Sequence, residues 1–199
     1  IRRISGDIAK KIILEYEYLK TMPAYNKYYF GIYFKINEKE YLGGVVIYSN
    51  EYSLNTGVWD KYTFKDKLLL LSRGVCLWWT PMNTASYFIT RTNKWVEENS
   101  DYRAITATVD PKAMEVGIIY QSMNWLYLDG MNTNTKSRLS IVIDGKKYGT
   151  RSIRKKYGTI KKEEILKLHP NAEFIHDLRK KRYITFLGKE KKNLQKEVQ

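Results

Sequence analysis

The stretch DPKAMEVGIIYQSMNWLYLDG, residues 110–130, decides the fold, because it holds a strand end, a glycine turn, a short helix and a second strand. The preceding residues 102–109 (YRAITATV) and the internal residues 125–128 (WLYL) are rich in β-branched and aromatic side chains, a composition typical of buried strands. A strand, a tight glycine turn and a helix in this order are the layout of a phosphate-binding loop.

The predicted helix of this stretch covers residues 117–124 and has two faces. Apolar residues recur at core spacing on one face and polar residues share the next, with Val116, Ile119 and Met123 on the first and Tyr120 and Asn124 on the second. The N-terminus of a helix presents unpaired N–H groups and a positive dipole end. A pyrophosphate can therefore bind at Gly117 without any cationic side chain.

The same stretch resembles the core motif of the phage Mom-type DNA modification proteins, an offshoot of the GNAT acyl-CoA transferases. The matching residues are Asp110, Pro111, Gly117, Ile119, Tyr120, Gln121, Asn124, Trp125, Tyr127 and Gly130. Met114 and Glu115 stand where the family has Gly-His, and Ile118 stands where it has Thr. The resemblance implies an acyl-CoA site, preferably for acetyl-CoA, formed by Thr108, Val109, Lys112, Met114, Glu115, Val116, Gly117, Ile118 and Asn124.

Looser resemblances to the family extend over most of the chain. Those with site residues are 68–74 (LLLLSRG), 83–91 (NTASYFITR) and 17–23 (EYLKTMP), in which Glu17 replaces a family His. They imply that Arg73, Ser86, Tyr18 and Glu17 belong to the catalytic site. Residues 28–34 and 43–49 resemble the family's first two sheet strands, and residues 180–188 resemble a C-terminal segment of many members.

Two residues have catalytic roles implied by the resemblance. Asp110 would accept a proton from the incoming amine or orient it, and the alternative is an Asp-Pro turn initiator. Tyr120 would protonate the departing thiolate of CoA, and the alternative is a half-buried helix tyrosine. The family places the pantetheine of acyl-CoA beside the sheet as an extra strand, which here corresponds to residues 106–109.

Four further residues have plausible structural alternatives. Ser86 would orient the acceptor base, or it is a first-turn helix serine bonded to the backbone. Arg73 follows an apolar run and needs a carboxylate or phosphate partner, such as Asp110. Tyr18 and Glu17 end the first helix, which the resemblance places at the border of the acceptor cleft, although Glu17 is better explained as a solvent-facing helix residue.

Composition indicates one domain with an appended element. The chain has 199 residues, of which 43% are hydrophobic, and this suffices for a sizeable core. Its longest apolar run, at 68–71, is too short to span a bilayer, and we expect no leader segment. Cys76 is the sole cysteine, so disulfides and zinc-type spacings are absent, and a cytoplasmic location is expected.

The charge is concentrated in the last third of the chain. Residues 1–135 contain 16 Lys and Arg against 14 Asp and Glu, whereas residues 136–199 contain 19 against 7. A segregated basic region favours binding to a phosphate backbone, and a solvated lysine-rich tail is the alternative. The candidate DNA-binding residues are Lys146, Lys147, Arg151, Arg154, Lys155 and Lys156.

Within that region KKYGT occurs twice, at 146–150 and 155–159. The two copies would either align Tyr148 and Tyr157 with lysine pairs along one phosphate track, or form two unrelated turns. His169 and His176 lie in the same region, and we interpret both as structural.

Patterning along the chain predicts an α+β fold. Predicted helices cover 7–19, 84–98, 117–124, 160–169 and 189–198, and predicted strands cover 28–37, 41–49, 67–73, 102–109, 125–129 and 182–187. This order matches the GNAT arrangement, a curved mixed β-sheet flanked by helices. We predict a catalytic core over 1–135 and a basic C-terminal extension over 136–199 packed on it.

The sequence therefore predicts a phage or prophage enzyme that uses acyl-CoA to place a methylcarbamoyl or acetamido group on the N6 amine of adenine in double-stranded DNA. Base flipping is implied, with Trp78, Trp79 and Trp125 as candidates to stack on the flipped base, although core packing is the safer interpretation for each. The alternatives are an N-acyltransferase acting on a protein, an RNA or a small amine, and an inactive DNA-binding module. The sequence does not support a divalent metal, and it leaves a homodimer open.

Overall fold

A computed structural model describes residues 1–51, 57–128, 138–177 and 180–199. The chain divides into two compact units. The first unit comprises Ile1–Val109, Glu115–Met131 and Lys181–Gln199, and the second comprises Asp110–Met114 and Asn132–Lys180. The predicted division after residue 135 differs from this one, because the last 19 residues return to the first unit.

Helices and strands alternate irregularly along the chain. They are β1 (Arg2–Arg3), α1 (Gly6–Tyr16), β2 (Asn26–Ile36), β3 (Lys39–Asn50), β4 (Leu68–Cys76), α2 (Thr84–Asn99), β5 (Ala104–Val109), α3 (Ile118–Ser122), β6 (Leu126–Leu128), β7 (Arg138–Ile143), β8 (Lys146–Gly149), α4 (Thr150–Tyr157), α5 (Lys162–Leu168), β9 (Glu173–Asp177), β10 (Lys181–Phe186) and α6 (Lys191–Val198).

The first unit contains a mixed sheet in the order β1-β2-β3-β4-β5-β10-β6. Every neighbouring pair is antiparallel except β4 and β5, which are parallel. Parallel strands need a crossover connection, and α2 supplies it. The predicted α+β class and mixed sheet with flanking helices are therefore confirmed.

The parallel ladder between β4 and β5 is short. It runs from the pair Leu68 and Ala104 to the pair Leu71 and Ala107, although β4 continues to Cys76 and β5 continues to Val109. The register of β4 against β3 shifts between Leu71 and Arg73, so Ser72 forms a bulge. β4 and β5 thus stop pairing next to the bulge.

The core of the first unit follows from the alternation of apolar residues in β4 and β5. Leu69, Leu71, Ile105 and Ala107 belong to one buried cluster, together with Phe88 of α2. Full burial of a side chain such as Phe88 contributes about 1.5–3 kcal/mol. Helix α1 uses a separate cluster, in which Ala9 and Ile13 pack with Val45 and Ile47.

The second unit is built around the three-stranded antiparallel sheet β8-β7-β9. Asp144 and Gly145 have φ values of 50° and 73° and form the tight turn between β7 and β8, which is the backbone geometry that Asp-Gly favours. The core of this unit consists of four fully or nearly fully buried isoleucines, Ile141, Ile143, Ile153 and Ile165.

The two KKYGT copies are not a structural repeat. The first copy forms β8, whereas Lys155 to Tyr157 of the second end α4, and Gly158 at φ 74° is its C-cap. Both tyrosines nevertheless pack on the same isoleucine core. The amino group of Lys156 lies 5.8 Å from the ring centroid of Tyr148 and 5.0 Å from that of Tyr157.

The described helices include none that is both long enough and apolar enough to cross a membrane.

Candidate functional site

The end of β5 offers one partly unpaired edge. Thr108 and Val109 pair on one side with Arg182 and Lys181 of β10, but the described ladder with β4 on the other side stops at Ala107. An extended ligand can add to such an edge through main-chain hydrogen bonds. The two residues predicted to bind the cofactor at this strand end thus lie where the sheet opens.

Helix α3 is shorter than the sequence predicts. Gly117 precedes it at φ 77°, the helix ends at Ser122, and Asn124 has left-handed backbone geometry at φ 56°. The prediction that Asn124 shares a helical face with Tyr120 is therefore wrong, because Asn124 lies past the helix end. Val116 is also not a core residue, since half of its surface is exposed.

Gly117 is held against Tyr183 of β10. A Cβ added at Gly117 would lie 2.3 Å from the Tyr183 ring. The Tyr183 hydroxyl donates a hydrogen bond to the Val116 carbonyl at 2.8 Å, and Gln121 donates to both oxygens at 2.8 and 3.0 Å. The contacts with Tyr183 of β10 thus hold the turn before α3 in place.

Tyr120 lies in an aromatic cluster on this turn. Its ring stacks on Tyr183 with centroids 5.4 Å apart, and it meets Trp125 at 5.0 Å. Burial raises the pKa of the Tyr120 phenol well above its ordinary value, and the nearby Glu115 carboxylate raises that pKa further. The phenol is therefore protonated at neutral pH and can act as a proton donor.

Ile118 and Met114, two other residues predicted to bind the cofactor, are accessible to solvent. In the first unit Ile118 is 71% exposed. In the second unit Met114 is 88% exposed and has left-handed geometry at φ 56°. The Lys112 side chain lies outside the described part of the chain.

Glu17 and Arg73 form an ion pair that sequence reasoning did not foresee. The Glu17 Oε2 lies 3.9 Å from the Arg73 Nε, and the Glu17 side chain is only 7% exposed. The solvent-facing interpretation of Glu17 is therefore wrong. Arg73 also donates to the Thr21 carbonyl at 3.0 Å, and the Leu19 N–H donates to Glu17 at 2.8 Å. The carboxylate partner of Arg73 is thus Glu17, where the sequence had suggested Asp110.

This pair fixes the chain after α1. It joins the end of α1 to the residue that follows the Ser72 bulge in β4. Tyr18, next to Glu17, is 51% exposed. Two predicted catalytic residues are thus in contact, with a third beside them in the sequence.

Ser86 lies in the first turn of α2. Its hydroxyl donates to the Asn83 carbonyl at 3.0 Å. This contact is the local side-chain to backbone bond that serines commonly make at helix starts. The structural alternative therefore accounts for its geometry, and a role in the site stays a prediction.

Asp110 belongs to the second unit and directly follows the last residue of β5. Its Oδ2 lies 3.6 Å from the amino group of Lys180, and its side chain is 23% exposed. The Asp110 carbonyl accepts from the Ala113 N–H at 2.9 Å, which is the turn expected of an Asp-Pro pair. The catalytic and turn-forming roles are compatible, because they use different atoms.

The three tryptophans proposed for base stacking have different surroundings. Trp125 is 6% exposed and belongs to the core, and Trp79 packs edge-on against Phe34 at 5.5 Å. Trp78, in contrast, is 91% exposed, and so is Met82 in the same loop. Core packing is therefore confirmed for Trp125 and wrong for Trp78.

A buried polar cluster in the first unit was missed by sequence reasoning. The Arg182 Nη1 lies 3.1 Å from the Glu51 Oε1, and Thr106 donates a short hydrogen bond to the other carboxylate oxygen. The Arg182 guanidinium also lies over the Trp59 ring at 5.2 Å. An arginine inside the otherwise apolar strand pattern RYITFL was the available signal.

The basic residues predicted to bind DNA lie on one small structure in the second unit. Residues 132–180 contain 13 Lys and Arg against 5 Asp and Glu. Lys146 and Lys147 of β8 and Arg154, Lys155 and Lys156 of α4 are exposed. The Arg151 side chain lies outside the described part of the chain.

No group of three or more His, Cys, Asp or Glu residues placed to hold a metal ion occurs among the described residues.

The fold and the candidate site together define an α+β protein with a mixed sheet whose parallel ladder ends early, with a partly buried tyrosine packed on the sheet's core, and with a strongly basic second unit. The model of the Mom protein family matches residues 1–199, so the chain belongs to the Mom family. This family is associated with phage DNA modification, which is the function that membership supports. A comparison with curated proteins found no match.

Proposed function

We propose that this protein is an acyl-CoA-dependent transferase that modifies the N6 amine of adenine in phage DNA. The observation that most supports this proposal is that the β4–β5 ladder ends at Leu71 and Ala107. Tyr120 packs against the core cluster that contains both residues and Val109. An open strand edge and a protonated phenol that share one core cluster suit an extended thioester ligand whose leaving group needs a proton.

The chemistry follows from the weak nucleophilicity of the adenine amine, whose lone pair is delocalised into the ring. The N6 nitrogen forms a bond to the thioester carbonyl carbon, and the carbon–sulfur bond breaks. Asp110 accepts the proton that leaves the amine, and Tyr120 gives a proton to the departing thiolate. The product is an amide on N6 and free CoA, and proton exchange with solvent returns Asp110 to its carboxylate and Tyr120 to its phenol.

The acceptor must leave the duplex before it reacts, since the amine lies inside the base stack. Trp78 is the side chain best suited to stack on an extruded base, because 91% of its surface is exposed. The basic second unit supports this choice of acceptor, because cations that neutralise DNA phosphates drive association through counterion release.

A second candidate function is transfer of the acyl group to an RNA, protein or small-amine acceptor. It uses the same strand edge and the same Tyr120. The lysine-rich second unit favours a polyphosphate acceptor over a protein or a small amine. A third reading, an inactive DNA-binding module, receives support from the replacement of the family Gly-His by Met114 and Glu115.

The test is mass spectrometry of nucleosides from plasmid DNA of cells that express the protein. We expect a heavier deoxyadenosine, whose added mass identifies the group transferred. The variants Asp110→Ala and Tyr120→Phe should lose it, whereas the exposed Asp101→Asn, a matched carboxylate control, should keep it.

Three outcomes separate the alternatives. Unchanged deoxyadenosine together with acetyl-CoA binding would eliminate adenine and direct the search to RNA or protein acceptors. Unchanged deoxyadenosine without any CoA binding, from a protein that still binds DNA, would identify an inactive module. Modified DNA from Asp110→Ala would remove that residue from the mechanism.

A further inference from the structure

A second group of cations lies in the first unit, apart in sequence from the lysine-rich region. A cavity of about 560 Å³ opens where β1 meets the exposed face of α2. Its lining includes Arg2, Arg3, Arg91 and Lys94, with the aromatic rings of Tyr87 and Trp95. One carboxylate, that of Glu98, also lines it. We call this feature the β1–α2 cavity.

Two of the four cations are paired with carboxylates. The Arg2 guanidinium contacts Glu40 at 2.9 Å, outside the cavity lining, and Lys94 lies 3.7 Å from Glu98. Both pairs are exposed, and exposed pairs contribute about 0–1 kcal/mol to stability. They therefore do not explain why so many cations meet at this surface.

The other two cations are held by aromatic rings. The Arg3 guanidinium lies 5.2 Å from the Tyr28 ring and 5.3 Å from the Trp95 ring, and the Arg91 guanidinium lies 5.3 Å from the Tyr87 ring. Among the described residues, no carboxylate oxygen lies within 4.0 Å of a guanidinium nitrogen of Arg3 or Arg91. Ring contacts use the face of a guanidinium and leave its N–H edge available for hydrogen bonds.

This arrangement suits a phosphate ester. A guanidinium that is already oriented loses less entropy when it binds two phosphate oxygens. The rings beside it add a stacking surface for a base, and Tyr87 is 53% exposed. A cavity of this size also accommodates a nucleotide-sized group.

We propose that the β1–α2 cavity binds the phosphodiester backbone of the DNA that the protein modifies, through Arg3 and Arg91. The choice of DNA as the ligand rests on the proposed function. The cavity gives the first unit its own contact with DNA, in addition to the cations of β8 and α4. Its phosphate chemistry is also that of a free nucleotide, so the experiment distinguishes the two sources.

The test measures binding of the full chain to a fluorescent DNA duplex over a series of salt concentrations, without any acyl donor. The double variant Arg3→Ala/Arg91→Ala removes two phosphate contacts. The slope of log K against log salt concentration is negative, and we expect its magnitude to be smaller by about 2 in this variant, because each phosphate contact contributes about 0.9. The loss should be the same for every duplex sequence.

Two variants serve as controls. Arg3→Lys/Arg91→Lys keeps the charges, so it should retain the wild-type slope while binding more weakly. Lys35→Ala/Lys65→Ala removes two cations that pair with Glu38 and Asp60, and it should retain both slope and affinity. Circular dichroism and urea unfolding verify that each variant is folded.

A wild-type slope in a folded Arg3→Ala/Arg91→Ala variant would overturn the proposal. So would unchanged DNA binding with loss of binding to adenosine 3′,5′-bisphosphate, which would assign the cavity to a small nucleotide. Because no acyl donor is present, the result is independent of the transfer reaction. A protein that modifies no adenine can still show the predicted slope.

Discussion

Replacement of Gly117 by Ala tests how the turn before α3 is built. The φ of 77° costs an alanine about 1–2 kcal/mol, because its Cβ crowds the following carbonyl. The added Cβ would also lie 2.3 Å from the Tyr183 ring, whose hydroxyl is tied to Val116. Overpacking of this kind costs about 1–3 kcal/mol. The expected loss in free energy of unfolding is therefore about 2–5 kcal/mol.

Gly188→Ala is the matched control, because it lies in the same unit and has the same φ of 77°. Its added Cβ meets only the end of the flexible Arg103 side chain, at 3.2 Å. We expect it to lose about 1–2 kcal/mol, which is the backbone cost alone. Urea denaturation followed by fluorescence measures both variants. Equal losses in the two would refute the claim that Tyr183 packs tightly on Gly117.

Three further predictions concern single side chains. Glu17→Ala leaves the Arg73 guanidinium without its carboxylate and should cost about 1–3 kcal/mol of unfolding free energy in urea, whereas exposed Glu38→Ala should cost under about 0.5 kcal/mol. Burial raises the pKa of the Tyr48 phenol, so the folded state holds this proton more tightly than the unfolded state. The stabilisation that this tighter proton binding provides is complete below pH about 10 and is lost as the pH rises further. Between pH 8 and pH 11, urea titrations should therefore show a smaller decline in the free energy of unfolding for Tyr48→Phe than for the wild type. Trp78→Ala should reduce the 2-aminopurine fluorescence increase on DNA binding with little change in stability, unlike Tyr25→Ala, a similarly exposed control.

The strands of the first unit were predictable because their apolar residues are regular. β2, β3 and β5 lie within two residues of the predicted ranges, and α2 within one. The alternation in these segments repeats the periods of strand and helix, and these are local properties of the sequence. The short α3 was overestimated, because helical spacing does not reveal that Asn124 leaves the helix.

The second unit was harder to predict. Strands β7, β8 and β9 and helix α4 were missed, although four of the six residues of β7 are apolar. Ile141 and Ile143 alternate along β7 and belong to the core of this unit, but the lysines nearby obscure this pattern. A five-residue repeat also suggested two equal elements, although one copy forms a strand and the other ends a helix.

The contacts of the candidate site depended on distant partners. The pairing of Glu17 with Arg73 and of Glu51 with Arg182 joins residues far apart in the chain, and no local pattern encodes either pair. Each residue was visible as a charge near an apolar segment. The sequence therefore indicated that such charges need partners, but not which partners they have.

The position of β10 also governs the order in which the protein can fold during synthesis. This strand joins β5 to β6, and in the described pairing β6 bonds to β10 alone. A nascent chain that has emerged only as far as Leu128 can form the strands β1 to β5, but β6 has no neighbour to bond. The sheet can close only after another 50 residues and more have left the ribosome. Until then, the edge of β5 that β10 will occupy is open to strands of other chains, so slow translation of the second unit should favour aggregation.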